Sequence, residues 1–242
     1  MRGIIPGILM ISLALCGCQP ARHAPGLGPL PEPMLATRQP PPPTRGIRPP
    51  RPAPRVQPAP THDYTTHNTR EWLPASGIRR GSWQTIVVHH SASSKATPQS
   101  MHDYHLKEKG WANGLGYHFV IGNGVNYPDG KVYVGPRWKR QIPGAHCSTS
   151  HGRYLGQQRP GGYFNDHGIG ICLIGNFENS HPTARQLASL RTLITFLCQE
   201  TGISPDNIHG HGEVTHRTAC PGRMLNMDEV RRSARVSVAA SK

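Results

Sequence analysis

The chain has 242 residues and a formal net charge of +14 at pH 7, with 27 Lys and Arg against 13 Asp and Glu. The excess is carried in both halves, and a basic surface draws anionic partners such as lipid surfaces, polyanionic polymers or nucleic acid. No basic run carries the interleaved aromatics on which bases stack, which argues against a nucleic-acid binder.

The N-terminus, "MRGIIPGILMISLALCGCQP", has one Arg and then an apolar run from Ile4 to about Leu15. That run is too short to span a bilayer and fits an export signal, and Pro6 and Gly7 argue against a buried helix. It ends in Leu15-Cys16-Gly17-Cys18, which resembles a bacterial lipobox; Cys18 follows a small residue and is the expected lipidation site. Gln19 after it resembles outer-membrane sorting. Next comes a tract holding 15 of the 25 prolines between residues 20 and 60. Such a stretch has too little apolar bulk to offset the entropy of ordering. Extended, roughly 40 residues at about 3.1 Å each reach on the order of 120 Å from an anchor. About 180 residues remain, enough for one domain with a sizeable core.

"TIVVHH", Thr85 to His90, is β-branched and bounded by turn residues, so it is expected to be a buried strand. Pro98 to Gly110 is expected to be a helix, with Thr97 or Ser94 as cap and Pro98 in the first turn. Gly116 to Ile121 and Lys131 to Val134 are expected strands, and Gly135 to Asp166 a long surface loop. Ile169 to Ile174 is a continuous apolar run, hence a central strand. Thr183 to Thr201 carries Leu187, Leu190, Leu193, Ile194, Leu197 and Cys198 at helical spacing and stops at Gly202. "NIHGHG" holds a short strand end, and Arg223 to Ala234 a last helix. Strands interleaved with helices predict an α/β fold, a mixed central sheet flanked by helices.

Chemistry-bearing residues concentrate in "TIVVHHSAS" and in "HGHGEVTHRTACP", His209 to Pro221. A His at a strand end with a His and a Cys from a distant loop would supply the three protein ligands of a catalytic zinc site. The equally simple alternative is loop histidines with Cys220 as a small buried hydrophobe. Cys172 and Cys198 lie at apolar positions and are expected in the core. A disulfide between them is one option in an exported protein, and Cys147 has no evident partner.

Three pieces in order resemble the zinc-dependent N-acetylmuramoyl-L-alanine amidases and peptidoglycan recognition proteins. They are "TIVVHHSAS", then "KGWANGLGYHFVIGNG" followed by "GAH", then "GIGICLIGNF" with "HGHGEVTHRTACPG". The resemblance spans Thr85 to Gly222 and implies one amidase / peptidoglycan-recognition-like domain. It implies one Zn2+ held by His89, His211 and Cys220. His90, next along the strand, faces the other side; His209 and His216 are the competitors, and His216 is expected in solvent. The resemblance implies catalytic roles for Tyr117 and Thr218 as oxyanion donors, and a substrate cleft lined by His118 and His146. Glu213 is expected to orient a ligand or brace the loop rather than act as the base.

The expected function is hydrolysis of the amide between N-acetylmuramic acid and L-alanine; the alternative is a non-catalytic peptidoglycan-binding lipoprotein on the same fold. The expected organisation is a signal at 1–18, a linker at 19–75, a zinc amidase domain at 76–235 and a tail at 236–242. The expected partners are peptidoglycan or muropeptide and, through Cys18, a membrane. The expected location is the cell envelope, with a monomer anchored in the outer membrane and facing the periplasm.

Overall fold

The computed structural model describes residues 68–150, 152–215 and 218–240. The signal, Cys18, nearly all of the expected linker and His216 lie outside the described residues. Five strands form one mixed sheet: β1 (Thr85–His90), β2 (Phe119–Ile121), β3 (Val132–Val134), β6 (Gly168–Leu173) and β7 (Ile208–Gly210), in the order β3-β2-β6-β1-β7. The β1–β6, β1–β7 and β2–β6 pairs are parallel, and β2–β3 is antiparallel. A separate hairpin pairs β4 (Gly152–Tyr154) with β5 (Gln157–Arg159).

Alternation along the strands sorts their side chains onto two faces. Ile86 and Val88 of β1, Phe119 and Ile121 of β2, and Ile169, Ile171 and Leu173 of β6 form one apolar layer. It packs on Leu190, Leu193, Ile194 and Leu197 of α4 (Ala184–Thr201) and on Val230 and Ala234 of α6 (Met227–Ala240). The opposite face holds Val87, Val120 and Cys172, covered in part by Met101 of α1 (Pro98–Lys107). His89 has the parity of Val87, so it belongs to this second face.

Local chemistry fixes the helix ends. Thr183 caps α4: its hydroxyl accepts from Gln186 N at 3.0 Å while Gln186 Oε1 accepts from Thr183 N at 3.1 Å. Gly202 ends it at φ 78°, a left-handed conformation a side chain would strain. Gln186 also donates to Ile121 O and Ile174 O, so the helix start is tied to two strands.

Several expectations need correction. Residues 135–166 are not one surface loop: they contain α2 (Pro136–Lys139), the β4–β5 hairpin and α3 (Tyr163–Asp166). Trp138 is fully buried there and Arg137 nearly so, because Arg137 donates to Leu115 O and Pro143 O. The domain starts earlier than residue 76. Thr69–Trp72 forms a 3-10 turn whose Trp72 packs edge-on against Phe196 and accepts at its carbonyl from Trp138 Nε1. The last helix runs from Met227 to Ala240, so the expected tail is helical through Ala240. Cys172 and Cys198 are both free and lie in different apolar clusters on the two sides of the sheet, which removes the disulfide.

Candidate metal centre

The register of two parallel strands brings the first two site residues together. Val88 of β1 pairs with Gly210 of β7, so the residues that follow, His89 and His211, are neighbours. Their ring centroids are 4.4 Å apart. His211 opens α5 (His211–Thr215), a turn of helix where a loop was expected. The chain then returns: Gly212 N donates to Cys220 O at 2.6 Å, closing the loop and setting Cys220 Sγ 3.8 Å from His89 Nδ1. One ligand atom each from His89, His211 and Cys220 lies within 4.8 Å of the others.

Two histidines and a cysteine, with His89 and Cys220 buried and His211 half-buried, match the donor chemistry of zinc, with an open side left at His211. Burial holds His89 well below its usual range, helped by the neighbouring His146, His211 and His90. Burial, then His90, lowers His211 to about 4. Both imidazoles are therefore neutral at pH 7 with a lone pair to offer. Burial raises the Cys220 thiol to about 11, while the backbone N–H of His90, 3.3 Å from Sγ, pulls it down again. That N–H is in place to stabilise a thiolate once a cation draws off the proton.

A second set, His89, His146 and Cys147, shares His89 and also brings three donor atoms within 4.8 Å. Cys147 Sγ lies 3.2 Å from His146 Nδ1, and burial pushes its thiol further up than that of Cys220. Its shift has no counterpart to the His90 N–H that favours a thiolate at Cys220. The set with Cys220 is the better metal site.

His90 faces away, as strand alternation requires; its Nδ1 accepts from Phe177 N at 3.1 Å. Tyr117 sits beside the centre with its ring centroid 5.2 Å from that of His89. Burial, then the thiols of Cys172 and Cys220, hold its phenol well above the usual range. It is thus a protonated donor at any working pH. Its hydroxyl also bonds Cys172. That bond raises Tyr117 and lowers Cys172, so the phenol donates and the Cys172 sulfur accepts. Tyr117 precedes β2 rather than lying within it, because the ladder starts at Phe119. The exposed Thr218 accepts from Cys220 N at 3.1 Å, so its oxygen shapes the ligand loop. Glu213 is a brace: it accepts from Gly210 N at 2.8 Å and pairs with Arg231 at 3.0 Å. His209 is buried on β7 and belongs to neither donor set.

Two expected cleft residues are elsewhere. His118 is fully buried, between Trp83 and Trp138, edge-on to both. Its Nδ1 accepts from Gly170 N at 3.0 Å, so its Nε2 donates to Ile142 O at 3.1 Å. Burial lowers its pKa to about 4. Both nitrogens are consumed inside the protein, and His118 lines no cleft. His146 is only 7% exposed and its Nδ1 lies 3.1 Å from His89 Nε2. It faces the metal-site histidine. Unforeseen from sequence was the pair His105 and Trp111, whose ring centroids are 4.7 Å apart and which adjoin Tyr117 through His105, at 5.8 Å. Trp111 lies just past the helix expected over Pro98 to Gly110, and nothing in "HLKEKGW" marks it as a partner of His105.

Comparison with known proteins gives a consistent picture. Residues 79–223 match the family profile described as N-acetylmuramoyl-L-alanine amidase. The chain is 30% identical over 149 residues to a peptidoglycan-recognition protein of Drosophila simulans, covering 58% of this chain and 69% of that one. It is 31% identical over 150 residues to peptidoglycan-recognition protein LB of Drosophila melanogaster; the match covers 58% of this chain and spans 55% of that one. Among solved structures it is similar to the N-acetylmuramoyl-L-alanine amidase LysC from Clostridium intestinale. There the TM-score is 0.51 at 29% identity, over 64% of this chain and 86% of that one.

Proposed function

The chain belongs to the N-acetylmuramoyl-L-alanine amidase family, and we propose that it is a zinc hydrolase cleaving the amide between N-acetylmuramic acid and L-alanine of peptidoglycan. The observation that carries the reading is the convergence of His89, His211 and Cys220 from two strand ends and a returning loop. The names of the curated relatives speak of peptidoglycan recognition and that of the solved neighbour of amidase activity. The cysteine with its His90 N–H favours chemistry over recognition alone, since binding a glycopeptide needs no thiolate.

Zinc, when bound, supplies polarisation of the scissile carbonyl and a lowered pKa for the attacking water. The protein's own residues do the rest. His89 and His211 offer neutral nitrogens, and Cys220 offers sulfur steadied by the His90 N–H. Tyr117, kept protonated by burial, would turn its proton from the Cys172 sulfur to the oxygen that becomes negative as the carbonyl is attacked, the stronger acceptor of the two. Thr218 fixes the Cys220 backbone and has a hydroxyl proton to add.

Export, lipidation at Cys18 and outer-membrane anchoring are part of the same proposal, motivated by "LCGC" before the proline-rich tract; mass spectrometry of the mature N-terminus is the check. For the metal, Cys220→Ala should lose most bound zinc and nearly all cleavage, because two ligands hold the ion poorly. A Cys220→Ala protein with one full zinc equivalent by elemental analysis and wild-type turnover would remove the assignment.

A further inference from the structure

A neutral imidazole has one proton for two nitrogens, and the partner of one nitrogen decides which atom is free to ligate. Around His89 that choice can be followed from a fixed end. The carbonyl of Gly168 can only accept. His146 Nε2 lies 3.1 Å from it and therefore carries the proton of that ring. His146 Nδ1 is then bare. His89 Nε2 lies 3.1 Å from this bare nitrogen and Cys147 Sγ 3.2 Å; a thiol proton can rotate toward it or away, but two fixed ring lone pairs at that distance repel, so the His89 proton sits between them. His89 Nδ1 is left with its lone pair, and Nδ1 is the atom that faces Cys220 Sγ.

We propose that His146 is a positioning residue, which sets the tautomer and ring angle of His89 so that Nδ1 points to the metal position. The proposal rests on the reading of His89, His211 and Cys220 as metal ligands. It also settles the competition with the set containing Cys147. A neutral His89 cannot offer lone pairs on both nitrogens, and the bond to His146 commits Nε2 as the donor.

The surroundings hold His146 in place. Its backbone N–H donates to buried Asn165 Oδ1 at 2.8 Å; the same oxygen accepts from Cys147 N at 2.9 Å, and Asn165 Nδ2 donates to Cys147 O at 3.0 Å. The ring lies flat over Gly170, where an added Cβ would come within 2.5 Å of His146 Cδ2. Only glycine at that position of β6 lets the imidazole reach His89. A ligand histidine usually passes its second N–H to a carboxylate, a carbonyl or water. Here a second histidine stands in between and relays the bond to the Gly168 carbonyl.

The test begins on the full chain stripped of metal. Nitrogen-15 spectra of the imidazoles should show His89 protonated on Nε2 and bare on Nδ1; a proton on Nδ1 overturns the proposal without any variant. His146→Ala and His146→Asn then separate positioning from packing, since Asn Oδ1 can take the place of the accepting Nδ1. Zinc affinity, read by competition with a chelator, should fall about 10- to 100-fold in His146→Ala, and His146→Asn should recover most of it. Unchanged affinity in His146→Ala, or an equal loss in His146→Asn, contradicts positioning. Should His146→Ala fail to fold, the Asn variant and the wild-type spectrum still decide. If the wild-type chain takes up no zinc, it is the metal reading that fails; the spectrum reports on the His146–His89 relay separately.

Discussion

Tyr117 divides binding from chemistry more cleanly than any other side chain near the metal centre. It is not a ligand, so Tyr117→Phe should keep both the zinc and the fold. It removes a hydroxyl that matters mainly when charge develops on the carbonyl oxygen. Losing one such donor costs a factor of about 10² to 10³ in turnover with KM little changed. Steady-state kinetics on a soluble muropeptide check this, and wild-type turnover would return Tyr117 to a core role beside Cys172. Residue identity was legible where strand alternation applied: His89 inward, His90 away. It failed for His118 and His146. Alternation tells which face a side chain takes, but not whether another element covers that face. Trp83 and Trp138 cover His118, and both lie in segments with no periodic signal.

The elements that position the site differ in how much of their origin is local. Strand β1 and helix α4 were readable to within a residue, because β-branched content, a capping Thr and a stop Gly are local signals. Thr183→Ala should cost about 1 kcal/mol by removing the cap of α4. The loss should appear as a lower urea midpoint with an unchanged slope, and an unchanged midpoint would mean that Gln186 alone holds the helix start. Helices α2, α3 and α5 are four or five residues long and exist only through tertiary contacts. Trp72 was hidden for a related reason. Its turn adjoins a polar stretch, and only the distant Phe196 and Trp138 make it part of the core. The neighbourhood of His89 and His211 was expected from resemblance, while the reason for it, the Val88–Gly210 register, needed the sheet order.

Across the whole domain, buried histidines outside the metal site also shape the response to acid. Burial holds His118 at about 4 against an ordinary 6.5. Between those values the unfolded chain takes up a proton that the folded one refuses. The loss of stability due to His118 is absent above about pH 6.5, grows as the pH drops, and levels off below about pH 4. It amounts to on the order of 3 kcal/mol. Urea unfolding with chelator present, from pH 7 to 4, should show this decline, and a flat profile would contradict it. The central property proposed for the domain is nevertheless chemical. The most direct measurement is mass spectrometry of a muropeptide incubated with the zinc-loaded full chain. A stem peptide with a free L-alanine amine and a peptide-free sugar are expected, both absent when chelator is added. A muropeptide that binds the zinc-loaded protein and is recovered intact would contradict the hydrolase reading and leave a recognition protein in its place.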